Sequence, residues 1–135
     1  MRRPLPLVLL LLVGCSNVLD VEPDAAVTLA PGETVAVTGG DIQVTFVEVR
    51  QDSRCPDDPV IVCLWAGDAE VALAADGQNG PATLLLHTHE DFETSALYAT
   101  WQVDVLGLVP PPTADGPPSP ADYRLTIRIR SALSP

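Results

Sequence analysis

The chain has 135 residues, no lysine and a formal net charge of −11 at neutral pH. This length suits one domain with one core and excludes a second sizeable domain. The chain has seven arginines and 18 acidic residues, so no basic patch is available to bind phosphate backbones. We therefore expect no nucleic-acid partner, and the acidity mainly indicates a solvated surface.

The first 14 residues predict a cleaved export signal. Arg2 and Arg3 supply a positive start, and an apolar stretch over residues 5–13 follows. That stretch is about half as long as a membrane-spanning helix. It therefore indicates a signal sequence and not a transmembrane anchor.

Residues 12–15 read Leu-Val-Gly-Cys and resemble the lipobox of bacterial lipoproteins, in which small residues precede an invariant cysteine. The resemblance implies cleavage before Cys15 and attachment of diacylglycerol and a fatty acid such as palmitate to that residue. Several acyl chains on one cysteine anchor a protein durably to membrane lipid. The resemblance also implies a place in the bacterial cell envelope. If the cell has two membranes, the resemblance implies that Ser16 after the cysteine permits transfer to the outer membrane, facing the periplasm or the surface; the sequence leaves the envelope type open.

Residues 15–25 are interpreted as the lipidated cysteine followed by a short polar tether. Removal of the leader leaves five arginines against 18 acidic residues, a net charge of −13. The mature surface is therefore acidic throughout.

Residues 26–135 predict an all-β domain, a small antiparallel β-sandwich or an open barrel. Apolar residues alternate with polar ones, and turn residues recur about every ten positions. A change of phase near Phe46 predicts a bulge. Early strands are expected over residues 27–29, 35–37, 42–50, 71–75 and 82–89.

The second half of the domain alternates most clearly. One continuous strand is predicted with an inward face of Leu97, Ala99, Trp101, Val103 and Val105. Residues 110–121 contain six prolines and predict an exposed loop without helix or ladder bonds. The last strand has an inward face of Tyr123, Leu125, Ile127 and Ile129.

Arg124, Arg128 and Arg130 lie on the outward face of that last strand. We expect them to pair with acidic residues on a neighbouring strand, where each exposed pair contributes little stability. The alternative is a local contact with an anion or a partner.

Cys55 and Cys63 are the two cysteines of the mature domain apart from Cys15, and they follow an export leader. Because exported proteins reach oxidising compartments, a disulfide is expected. A redox pair or a metal site is disfavoured, since the eight-residue separation is unlike CxxC.

The segments around these cysteines read Asp-Ser-Arg-Cys-Pro over residues 52–56 and Cys-Leu-Trp-Ala-Gly over residues 63–67. They resemble a pattern in small, mostly uncharacterised bacterial lipoproteins, although the loop between the cysteines is somewhat long for it. The resemblance supports fold and location and carries no activity.

Arg54 is expected to fold back onto Asp52 or Asp68, with Trp65 capping the core beside the bridge. The functional alternative places Ser53, Arg54 and Trp65 at the rim of a binding site, because arginine and aromatic residues dominate recognition surfaces.

His87 and His89 share one face of a predicted strand, and Glu90 and Asp91 follow. Two imidazoles in this pattern can bind one metal ion with a carboxylate as third ligand. Two solvent-facing strand residues are the simpler interpretation, so no cofactor is expected.

The sequence favours a non-catalytic binding or interaction module whose ligand is an unknown envelope protein or glycan. No GxSxG motif or phosphate loop is present, and the two histidines are the only bases suited to hydrolysis. The alternatives are a metal-binding envelope protein that uses His87 and His89 and, less favoured, an envelope hydrolase.

Overall fold

The computed structural model describes residues 17–133, which form nine strands. In chain order these are β1 (Val18–Val21), β2 (Ala26–Leu29), β3 (Thr34–Val37), β4 (Ile42–Asp52), β5 (Ala69–Gly77), β6 (Ala82–His87), β7 (Ser95–Tyr98), β8 (Trp101–Val109) and β9 (Arg124–Ser131). The predicted leader, Cys15 and Ser16 lie outside the described residues. Across residues 17–133, no helix is long and apolar enough to cross a membrane.

The strands form two sheets that pack against each other. Sheet A has the order β1-β3-β4-β5-β6, and sheet B has the order β2-β9-β8-β7. Every ladder between these strands is antiparallel except the parallel pair of β1 and β3. The prediction of a small all-β sandwich is therefore confirmed.

The core forms where the inward faces of the two sheets meet, as alternation along each strand requires. The predicted inward face of the last strand is buried in full. The core side chains without any exposed surface include Leu29, Val35, Val44, Phe46, Val71, Leu73, Leu86, Val103, Leu125, Ile127 and Ile129.

β4 contains the predicted bulge. Its register with β5 slips between Phe46 and Glu48, and it slips again between Val49 and Gln51. Phe46 is buried, whereas Val47 is exposed and Val49 is half-buried. The extra residue restores the inward phase of the strand, which allows β4 to run on to Asp52.

The predicted continuous strand through residues 97–105 is wrong. The chain turns at Ala99 and Thr100, so Tyr98 pairs with Trp101 in a hairpin between β7 and β8. Ala99 has φ +51°, a backbone conformation that a continuous strand does not contain. The turn reverses the parity of β7, and Tyr98 is consequently buried while Leu97 is 66% exposed.

The predicted tether is also corrected, because residues 18–21 form β1. Val18 pairs with Thr34, and Val21 pairs with Val37 and is buried. β1 pairs with the edge of β3, so the backbone N–H and C=O groups along that edge form hydrogen bonds within the sheet. Without β1 they would have only water as a partner. The folded domain therefore begins at Val18 and not at residue 26.

The two ends of the sandwich differ in their connections. At the end that we call the disulfide end, the chain connects strands through residues 53–68, 88–94 and 110–123. The last of these is the predicted proline-rich loop, although it contains one short 3-10 turn at Pro120–Asp122. At the opposite end, residues 38–41, 78–81 and 99–100 make short turns.

Candidate functional site

The segment over residues 53–68 extends the ladder of β4 and β5 beyond the sheet and is closed by a disulfide. The Ser53 amide donates to the Asp68 carbonyl at 2.7 Å, and the Cys55 amide donates to the Ala66 carbonyl at 2.8 Å. Cys55 and Cys63 are bonded, as predicted. Gly67 has φ +74°, and a Cβ there would collide with the Ser53 carbonyl, so this close approach requires glycine.

Arg54 joins the two sheets at this end. Its Nε and Nη2 donate to the two carboxylate oxygens of Asp52 at 2.8 and 2.7 Å. Its Nη1 donates to the Leu108 carbonyl at 2.6 Å, and Nη2 also reaches the Pro110 carbonyl at 2.8 Å. The predicted pairing with Asp52 is therefore confirmed, and four of the five guanidinium N–H groups donate to acceptors within the domain.

Tyr123 completes this cluster from sheet B, because its hydroxyl donates to Asp52 Oδ2 at 2.9 Å. Burial raises the pKa of Asp52, but the hydrogen bonds from Arg54 and Tyr123 outweigh it and leave that pKa below its ordinary value. Burial, together with the bond to the Asp52 carboxylate, raises the pKa of Tyr123 to about 12. The cluster is thus stable as a carboxylate, a guanidinium and a neutral phenol.

Asp68 holds the segment that follows β6. Its Oδ2 lies 2.6 Å from His87 Nδ1, and its Oδ1 accepts from the amides of Thr88 and His89 at 3.1 and 3.0 Å. Burial raises the pKa of Asp68, yet the bonds from His87 and from the His89 and Thr88 amides lower it below its ordinary value. Asp68 therefore acts as an anionic cap for a loop.

The predicted metal ligands are not brought together. His87 binds Asp68, whereas His89 Nδ1 accepts from the Asp91 amide at 3.2 Å. Glu90 is exposed. Within residues 17–133, no group of three or more His, Cys, Asp or Glu side chains is placed to hold a metal ion.

The histidines are also not plain solvent-facing strand residues, because both are partly buried against aromatic rings. The Phe92 ring centroid lies 5.1 Å from that of His87 and 6.2 Å from that of His89. Trp65 meets His89 edge-on at 5.5 Å. The strand β6 ends at His87, and the chain turns away before His89.

Trp65 does not cap the core, and that prediction is wrong. Trp65 is 53% exposed, and its neighbours Val62 and Leu64 are 90 and 103% exposed. Five exposed apolar side chains lie close together in sequence here, and Phe92 joins them through His89, whose ring meets both Trp65 and Phe92. We call them the apolar tip: Val60, Ile61, Val62, Leu64, Trp65 and Phe92.

Of the predicted rim of a binding site, only Trp65 has a free side chain. Arg54 is engaged as described, and Ser53 Oγ donates to the Asp68 carbonyl at 2.9 Å. The aliphatic members of the apolar tip were missed by sequence reasoning. The signal was present as Val60, Ile61 and Val62, three consecutive apolar residues within a loop too short to bury them.

The arginine stripe is largely a structural feature. Asp104 of β8 is buried and accepts from Arg130 Nε at 3.0 Å and from Arg128 at 3.4 Å. This confirms cross-strand pairing for two of the three arginines. Arg124 instead donates to the backbone carbonyls of Ala121 and Tyr123.

No protein-family model matches this chain, and no curated protein or solved structure matches it either. The sandwich and the disulfide rest on the geometry described above. The likeness to small bacterial lipoproteins stays a prediction from the sequence.

Proposed function

We propose that this chain is a lipid-anchored lipoprotein of the bacterial cell envelope that acts as a non-catalytic binding module. The observation that carries the proposal is the disulfide end, where braced loops present the apolar tip to solvent. Loops held on a rigid sandwich are common binding surfaces. A disulfide in a small domain supports an exported location, as does the predicted leader over residues 1–14.

Binding is favoured over catalysis because no nucleophile and base are hydrogen-bonded to each other at this end. A hydrolytic site needs a nucleophile hydrogen-bonded to a base. Asp68 could orient His87 as a base, but the Ser53 hydroxyl donates to the Asp68 backbone carbonyl and not to His87, so these two residues form no nucleophile–base pair. A depression of about 390 Å³ at the opposite end contains Asp41 and Asp76 but neither histidine. We therefore propose no reaction.

The sequence left open whether the partner is a protein or a glycan, and the side chains of the tip favour one of these two. Sugar hydroxyls are bound by polar donors together with acceptors. The hydroxyl of Ser53 and most N–H groups of Arg54 are already occupied, so the exposed polar groups beside the tip are mainly acidic acceptors such as Asp57 and Glu90. The tip offers mainly aliphatic surface. An apolar partner is therefore favoured over a glycan.

The anchor is tested by metabolic labelling with an alkyne analogue of palmitate in the bacterial host. We expect labelled protein that partitions into the detergent phase of Triton X-114. Cys15→Ala should abolish both the label and the partitioning. A Cys55→Ala, Cys63→Ala double variant is the matched control and should keep the label, because its changes lie in the disulfide. Label that persists in Cys15→Ala would contradict the lipoprotein assignment.

A further inference from the structure

We infer that the apolar tip is a second membrane contact, which inserts into the interfacial layer of the bilayer that carries the lipid on Cys15. This inference rests on the proposed lipidation. Val60, Val62 and Leu64 are 86, 90 and 103% exposed, so these side chains have almost no packing within the described domain. Contiguous exposed apolar side chains of this kind mark a contact surface.

The tip is already ordered before it meets a membrane. The Val60 amide donates to the Asp58 carboxylate at 2.8 Å, and the Ile61 amide donates to the Asp58 carbonyl at 3.1 Å. The disulfide fixes Cys63 between Val62 and Leu64. Because the loop is preorganised, insertion loses little conformational entropy.

The direction of β1 places the anchor at the same end as the tip. Val18 of β1 is level with Thr34, which pairs with Thr45 of β4. From Thr45, β4 runs toward the disulfide loop and ends at Asp52. β1 is parallel to β3 and so runs opposite to β4. At Val18 the chain therefore enters sheet A from the direction of the disulfide end.

The link between anchor and domain is short. Two residues, Ser16 and Asn17, separate Cys15 from Val18. A fully extended chain of that length spans at most about 11 Å. A bilayer that holds lipid on Cys15 therefore passes within about that distance of Val18. From Thr45, which is level with Val18, β4 runs about 20 Å farther to Asp52, so the sandwich must lie inclined on the bilayer for the tip to reach it as well.

The charge around the tip determines the type of lipid. Asp57, Glu90 and Asp91 are exposed beside tip residues, and the mature chain carries a net charge of −13. Anionic headgroups would repel this end. Trp65 instead suits the interfacial layer, because its ring is amphipathic. The geometry thus points to a bilayer rich in zwitterionic lipid.

The two tryptophans of the chain permit a direct test, because they lie at opposite ends. Trp65 belongs to the tip, whereas Trp101 Nε1 donates to Asp41 Oδ1 at the opposite end. Lipidated protein is reconstituted into phosphatidylcholine vesicles with brominated acyl chains, which quench tryptophan fluorescence at short range. We expect quenching in Trp101→Phe, which retains Trp65, and none in Trp65→Phe, which retains Trp101.

Two exposed leucines supply the matched variants, and both are made in the Trp101→Phe background. Leu64→Asp should weaken insertion at least about tenfold, from the loss of one buried leucine, and should reduce quenching of Trp65 toward zero. Leu97→Asp, on β7, should leave the quenching unchanged. Replacing part of the phosphatidylcholine with phosphatidylglycerol should weaken the quenching at low salt.

Flotation of the vesicles separates the two proposals. Protein that floats while Trp65 stays unquenched by bromine and open to aqueous iodide would overturn the tip inference and leave the anchor intact. The tip would then be available to a protein partner. Protein that does not float would overturn the anchor, and the tip inference with it. Equal quenching of Trp65 and Trp101 would also overturn the inference, because it would show no preferred end.

Discussion

Turns of two to four residues join the strands at the opposite end of the sandwich. The disulfide side has one such turn, residues 30–33, and in addition the long segments 53–68, 88–94 and 110–123. The short turns are supported by neutral or exposed bonds, such as that from the Tyr98 hydroxyl to the Gly80 carbonyl. The long segments are held by two partly buried carboxylates, Asp52 and Asp68. Long connections lack local constraints, so this end depends on charged bonds between distant residues.

Among the variants considered, Arg54→Met should lower the free energy of unfolding most. The variant leaves the Asp52 carboxylate without its guanidinium, and the Asp52 side chain is 3% exposed. We expect the free energy of unfolding to fall by about 3–5 kcal/mol. Arg50→Met is the control, because its pair with Glu70 at 3.6 Å is exposed and should cost less than about 1 kcal/mol. Urea unfolding of both variants checks this, and equal losses would contradict the special role of Arg54.

Removal of the disulfide should have the next largest effect. A Cys55→Ser, Cys63→Ser variant should lose about 2.5 kcal/mol, because the unfolded chain regains the freedom of the open loop. Hydrogen exchange should show that the Cys55 amide loses its protection. The β9 amides should still exchange only through global unfolding of the variant. A uniform loss across both ends would argue that the disulfide does not act locally.

Each end of the sandwich has one tyrosine whose hydroxyl forms a hydrogen bond, so the same substitution can be made at both ends. The Tyr123 hydroxyl donates to a carboxylate, and the Tyr98 hydroxyl donates to a backbone carbonyl. Tyr123→Phe should cost about 2 kcal/mol, whereas Tyr98→Phe should cost about 1 kcal/mol.

Alkaline pH extends that comparison. The raised pKa of Tyr123 means that its contribution is complete below pH 10 and is lost as the pH rises toward about 12. Unfolding measured from pH 9 to 12 should show this loss in the parent chain. The loss should be smaller in Tyr123→Phe, and an unchanged profile in that variant would refute the assignment.

Asp68→Asn should have the smallest effect at neutral pH, about 1 kcal/mol, because an amide oxygen still accepts from the two loop amides. The folded pKa of Asp68 lies below its ordinary value of 3.8. Its contribution is therefore present above that value and is lost as the pH falls through the folded pKa. Acid unfolding of Asp68→Asn should be less steep than that of the parent, and parallel curves would count against the cap.

Much of the fold follows from local pattern. Alternation along residues 123–129 predicted the inward face of β9, and the change of phase at Phe46 predicted the bulge. These features depend on residues a few positions apart, so one sequence contains the information. The disulfide was predicted from the number of cysteines and from the predicted export leader.

The errors arose where distant residues decide the structure. The segment of β1 contains Asp20 and has only four residues, and its pairing with β3 is visible only in three dimensions. The turn at Ala99 and Thr100 contains no glycine, proline, asparagine or aspartate, so nothing marked it as a turn.

The functional end was predicted only in part. The pairing of Arg54 with Asp52 spans two residues and could be predicted, but the bond from Tyr123 to Asp52 spans 71 positions. Trp65 was expected inside because large aromatic rings usually are. Its place outside follows from the length and direction of the disulfide loop, which composition does not reveal.

The edge strands of the two sheets determine how readily neighbouring copies of this protein could join into one sheet. The edge strands are β1 and β6 in sheet A and β2 and β7 in sheet B. Three of these four edges in the described domain, β1, β2 and β7, have four residues each. An edge this short offers few unpaired backbone groups to a strand of another molecule. Neighbouring copies crowded side by side would therefore resist joining into continuous intermolecular sheets, even though each copy exposes apolar side chains.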